Sequence, residues 1–132
     1  MPVRMPENHR VRGSRRVMVL IGNVNKFNAI VCHYCLNPVV GYPCIDHVEC
    51  RANGGDAKDI NNLIVACNTC NTRKGSKSVA EVFGQAKHDE ICAYMDERNF
   101  SPNDLVKARE INRMFSKTAD VLQAVVEYGG TK

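Results

Sequence analysis

The sequence predicts an α+β fold: a short β-hairpin pinned by a four-cysteine metal site, followed by a helical C-terminal part. Three observations carry this expectation. Two Cys-x-x-Cys pairs, Cys32/Cys35 and Cys67/Cys70, bracket the middle of the chain. Between them lie two short apolar runs joined by a long loop containing Asn53-Gly54-Gly55-Asp56. Beyond residue 78, apolar residues recur at helical spacing behind two capping signatures.

A length of 132 residues suits one domain with a modest core. The net charge of +4 is unevenly spread. Through residue 31, Arg4, Arg10, Arg12, Arg15, Arg16 and Lys26 face only Glu7. Such a basic end fits a polyanion, whose condensed counterions are released on binding, and equally fits a solubilising tail. The absence of Trp and the scarcity of aromatic residues argue against a broad stacking platform for single strands.

Residues 1–16 contain Pro2, Pro6 and the basic run without apolar periodicity, and read as a flexible basic arm. Residues 17–31 are β-branched and apolar around Gly22-Asn23, consistent with either a strand or a helix. The run Val17 to Ile21 is too short for a signal peptide's apolar region or for a membrane span. A reducing compartment is therefore expected, where seven cysteines suit a metal better than disulfides.

Val39-Val40 and Ile45 to Val48 read as extended pieces, since Pro38 and Pro43 exclude helix. Leu63 to Ala66 supplies the partner strand. Asn68 to Lys74 lacks breakers and starts a helix that Gly75 interrupts. Ser78 with Glu81 forms a capping box for a helix to about Asp96, which Gly84 weakens. Ser101-Pro102-Asn103-Asp104 opens another, running on as one helix or as two broken near Ser116 until Gly129-Gly130. The expected units are the arm (1–16), a core with the metal site (17–78) and a helical extension packing on it (79–132).

Each Cys-x-x-Cys turn places two thiolates on one ion at about 2.3 Å, and two such turns complete a tetrahedron. Cys32, Cys35, Cys67 and Cys70 thus form a structural Zn²⁺ site with no position left for water. The competing reading, a thiol redox pair, belongs at a single helix start in a βαβ setting, which two matched pairs do not resemble. His33 inside the first pair is an alternative ligand, and Cys44, Cys50 and Cys92 read as small buried residues.

The same segment carries CHYC, CIDHVECRANGG and DINNLIVACNTCNTRKGSKS in order. This pattern, over residues 32–78, resembles the HNH endonuclease family. The resemblance implies a ββα-metal core, with His47 as general base and Asp46 and Asn71 as ligands of a catalytic Mg²⁺ or other divalent cation. It implies Asn62 as the brace of the histidine loop, chosen over Asn61 because it directly precedes leucine. The chemistry agrees: neutral imidazole accepts a proton from water, and hard cations prefer oxygen donors. Two departures stand out. Asparagine fills the third family position, often histidine, and Cys50 replaces a proline common after the DH step.

Arg51, Arg73, Lys74 and Lys77 are candidate DNA phosphate contacts, or else solvated surface charge. The implied function is metal-dependent hydrolysis of double-stranded DNA, by nicking or double-strand cutting. The alternative is a non-catalytic zinc-stabilised DNA-binding module. No membrane association is expected. The implied setting is cytoplasmic, in a bacterial cell or a phage-infected host. The helices of the extension leave open a homodimer or a protein partner.

Overall fold

Val17, Leu20, Ile21 and Val24 stand at i, i+3, i+4 and i+7, and all four are buried. That spacing makes one helical face and resolves the strand-or-helix alternative for this segment in favour of helix α1, Gly13–Phe27. The computed structural model describes residues 13–49 and 60–130. Arg51, Cys50, the Gly54-Gly55 turn and residues 1–12 of the expected arm lie outside the described residues. The arm's expected end at residue 16 is corrected: residues 13 to 16 form the first turn of α1, where the Arg16 guanidinium packs 4.4 Å over the Tyr42 ring.

Buried Asn23 on α1 closes the next corner. Its amide donates to the Val31 carbonyl at 2.9 Å and accepts from the Val31 N–H at 2.8 Å. This fixes the chain one residue before Cys32. Extended pairing follows, with a bridge between Val31 and Pro38.

The hairpin is antiparallel, β1 at Cys44–His47 and β2 at Leu63–Ala66. Cys44 faces Ala66 and His47 faces Leu63, so the second cysteine pair leaves one end while His47 marks the other. A 3₁₀ turn, Ile60–Asn62, leads into β2. All four β2 residues are buried, because both faces of this strand are covered. Leu63 and Val65 join the α1 face, Ala108, Ile111, Val121 and Val125 in one core cluster. Ile64 and Ala66 join Cys32, Tyr34, Cys70, Val79, Ile91 and Tyr94 in the other.

Helix α2, Asn68–Lys74, ends at Gly75, whose φ of 52° is left-handed and whose N–H returns to the Asn71 carbonyl. The capping box at Ser78 is present, but the expected helix to Asp96 is two: α3, Val79–Phe83, and α4, Gln85–Glu97. Gly84 at φ 96° separates them, a conformation other residues adopt only with strain. The second capping box, Ser101 with Asp104, starts α5, Pro102–Met114. The chain breaks near Ser116 and resumes as α6, Thr118–Gly130, so Gly129-Gly130 closes the last turn from within. Helices α5 and α6 pack on α1, while α3 and α4 pack over the cysteine side of the hairpin. Among the described residues, no helix is long and apolar enough to cross a membrane.

Candidate metal centre and hydrolytic site

The four cysteine sulfurs converge. One ligand atom from each of Cys32, Cys35, Cys67 and Cys70 lies within 4.8 Å of the others, and Cys35 Sγ is 3.9 Å from Cys67 Sγ. Tetrahedral zinc at about 2.3 Å from sulfur needs edges of about 3.8 Å, so the donors fit the ion in type, number and spacing. The turns explain the convergence. Leu36 N–H returns to the Cys32 carbonyl at 2.9 Å, and Leu36 takes a left-handed φ of 63°. Cys67 caps α2, its sulfur accepting from the Cys70 N–H at 3.4 Å. For Cys35, burial pulls upward, but the Asn37 N–H and neighbouring thiols outweigh it and lower the thiol to about 7.

His33 does not join this set. It is fully buried, its ring lies 4.5 Å from that of Tyr94 and 5.3 Å from that of Phe27, and neither ring nitrogen has a hydrogen-bond partner. Burial first, then the Lys87 charge, pushes its pKa down to about 4, so it packs as a neutral aromatic. Cys44 and Cys92 are half-buried, not core.

The second cluster surrounds Asp46, which is 6% exposed. The Tyr34 hydroxyl donates to Asp46 Oδ2, and Lys74 Nζ stands 3.5 Å from the same oxygen. Tyr34 belongs to the first cysteine turn and stacks on Phe83, ring centroids 4.3 Å apart. Burial raises the Asp46 carboxyl above the usual range, and Lys74 and then Tyr34 pull it back only in part. Lys74 is itself 1% exposed, and its ammonium also donates to the His47 carbonyl at 2.9 Å. The expected phosphate contact at Lys74 is therefore corrected. Its charge is consumed inside, because a buried carboxylate demands a buried cation. Arg73 and Lys77 are exposed, with Arg73 lying 5.2 Å over the Phe83 ring.

His47 ends β1, and its loop is clamped from across the hairpin. The Asn62 amide donates to the Glu49 carbonyl at 2.8 Å and accepts from the Glu49 N–H at 2.8 Å, while Val48 N–H reaches the Asn62 carbonyl at 2.9 Å. Asn71 sits one turn before Lys74 on α2, and residues three apart are neighbours on a helix surface. Lys74, Asp46 and His47 are brought together by direct contacts, whereas Asn71 shares with Lys74 only its helix, three residues before it. The cysteine site lies at the opposite end of β1, about 10 Å along three residues of strand.

One contributor was not legible as a site residue, and another was assigned a different role. Tyr34 hides inside a Cys-x-x-Cys turn, where its spacing signals nothing, although a buried tyrosine needs a polar partner for its hydroxyl. Lys74, the last residue of α2, reads from the sequence as a phosphate contact rather than as the buried partner of Asp46.

Residues 32–77 match the family model for HNH endonuclease. It contains both cysteine pairs, β1, β2 and α2, and leaves α1 and α3 to α6 outside. No curated protein matches the chain significantly.

Proposed function

From an HNH domain of this geometry, we propose that the protein is a metal-dependent endonuclease hydrolysing phosphodiester bonds of double-stranded DNA, with His47 as general base. The observation that carries the reading is the double restraint on the His47 main chain. Lys74 grips its carbonyl beside Asp46, and Asn62 holds both polar groups of Glu49 two residues on. A base must be held within hydrogen-bond reach of the water it deprotonates, so such restraint at one histidine has a catalytic rationale.

His47 takes a proton from water, the water oxygen attacks phosphorus, and the bond to the leaving sugar oxygen breaks. Asp46 and Asn71 are the oxygen donors for a divalent cation such as Mg²⁺. When bound, that cation polarises the phosphate and stabilises charge on the leaving oxygen. The donor types suit a hard cation: Tyr34 and Lys74 both engage Oδ2 of Asp46, so Oδ1 is the carboxylate oxygen that would be offered, with the neutral side-chain oxygen of Asn71 as the second donor. Arg73 and Lys77 contact backbone phosphates, which position DNA without reading sequence. Zinc holds the hairpin and takes no part in proton transfer.

The test is supercoiled plasmid with Mg²⁺ or Mn²⁺. Wild type nicks or linearises it, and His47→Ala is slower by about 10²–10⁴-fold. Absence of cutting by wild type, or equal cutting by the variant, rejects the proposal. One observation favours the alternative of a non-catalytic zinc-stapled binder: Lys74 already neutralises Asp46. That module would retain the plasmid in salt-sensitive complexes and leave it intact.

A further inference from the structure

Arg98 follows α4 and lies outside the HNH segment, yet its guanidinium reaches back to the turn that opens β2. Nη1 donates to the Leu63 carbonyl at 2.8 Å and Nη2 to the Ile60 carbonyl at 2.6 Å. These two carbonyls bracket Asn62. The rings of Tyr94 and Phe100 each lie 5.3 Å from Arg98 Cζ. Gly22 on α1 makes room, since a Cβ there would stand 3.0 Å from Arg98 Cδ. The side chain is thus set among α1, α4 and the segment leading to α5, and its fork spans the 3₁₀ turn.

We propose that Arg98 is a positioning residue for His47, fixing the Ile60–Leu63 turn so that Asn62 can clamp Glu49. This rests on the assignment of His47 as base. Every link is a direct contact: Arg98 to Ile60 and Leu63, Asn62 to Glu49 and Val48, and these two residues to His47 through the chain. The planar fork is what the task requires. A guanidinium presents two donors at fixed spacing, whereas an ammonium offers the same charge from a single point. Lysine at this position reaches one carbonyl and leaves the turn free to rotate about it. The helical extension thereby acts on the chemistry without touching DNA.

The experiment uses the full-length, zinc-loaded protein and compares wild type, Arg98→Lys and Arg98→Met. Three quantities are measured: hydrogen exchange at the Val48 and Glu49 amides, affinity for a DNA duplex, and the single-turnover cleavage rate. In Arg98→Lys, which keeps a cation beside both rings, both amides exchange at least ~10-fold faster. Cleavage slows by about 10–100-fold, the scale of a misplaced catalytic group, while duplex affinity stays within about 3-fold. Arg98→Met shows the same pattern more strongly. Wild-type exchange at Glu49 in both variants overturns the proposal, as does an equal loss of affinity and cleavage. If wild-type protein does not cut DNA, the nuclease reading fails, and the exchange measurement still decides whether Arg98 fixes the loop.

Discussion

Replacing Lys74 by Met isolates the energetics of the buried ion pair at the heart of the site. The Lys74 and Asp46 side chains are 0% and 8% exposed, with nitrogen and oxygen 3.5 Å apart. At an effective dielectric constant of about 20, that separation corresponds to roughly 5 kcal/mol of attraction. Both charges were desolvated to form the pair, so the net value of the pair is smaller. Removing one partner is costlier than removing both, because a buried carboxylate is left uncompensated. The expected loss is about 3–5 kcal/mol at neutral pH. Methionine refills much of the volume, so little of the loss is cavity.

The loss depends on pH, and its sign follows from Asp46. Burial already holds this carboxyl above its ordinary range, and Lys74 is the largest influence pulling it down. Without Lys74 it rises further. For an acid whose folded pKa exceeds its unfolded one, the folded state binds the proton more readily. The penalty is therefore absent below the unfolded pKa, grows as pH climbs from that value to the folded one, and is complete above it. Denaturant unfolding of zinc-loaded wild type, Lys74→Met, Asp46→Asn and the double variant, at pH 5.5 and 8, measures this. Lys74→Met loses more at pH 8 than at pH 5.5. The double variant regains most of the deficit, because the neutral amide introduced by Asp46→Asn needs no cation. A Lys74→Met protein as stable as wild type at pH 8, or a double variant no better than the single one, would refute the reasoning.

Two further outcomes follow from the fold. Native mass spectrometry under reducing conditions is expected to find one zinc per chain, and Cys70→Ser is expected to abolish it and expose the hairpin amides to exchange, since ligand thiolates supply folding energy. Gly129→Ala places a Cβ 2.3 Å from Val24 Cγ1, an overlap between α6 and α1 that only backbone movement relieves. Thermal unfolding should show a net loss of about 1–2 kcal/mol, overpacking outweighing the gain in helix propensity; a stabilised variant would mean that α6 packs elsewhere.

What could be read in advance was local or strongly patterned. Ser78/Glu81 and Ser101/Asp104 announce helix starts because the capping bonds span three residues, and both boxes form. The cysteine pairs announce a shared ion because thiolate spacing in a turn is itself a ligand geometry. The hairpin was legible from two short apolar runs bounded by turn residues. The segment from Val17 was not, since its helical spacing (Val17, Leu20, Ile21, Val24) is overlaid by Val19 and other β-branched residues that also suit a strand. Cover for one face comes from Ala108, Ile111, Val121 and Val125, about ninety residues further on. The same limit hid the inward turn of Lys74. Its partner Asp46 is twenty-eight residues away, and nothing in N-x-x-K-G states which side of α2 meets the strand. Gly84 was visible as a weakness, but only its left-handed φ makes it a break.

The double burial of β2 explains why an HNH segment of this kind arrives with additional helices. Ile64 and Ala66 pack into the cysteine-side cluster, which also draws on α3 and α4. Leu63 and Val65 point the other way and are fully covered by α1, α5 and α6. Stripped of those helices, residues 32–77 would expose both side chains, at about 1.5–3 kcal/mol each, in a unit with little other core. A zinc ion on the four cysteines would not compensate, because it would clamp the Cys44–Ala66 end, whereas His47 stands at the Leu63 end. The His47 end of the hairpin thus owes its restraint to side chains, with Asn62 and Lys74 from within the segment and Arg98 from outside it. Two separate restraints, one ionic at the far end and one hydrogen-bonded at the near end, are what a strand of four residues needs to hold an imidazole still.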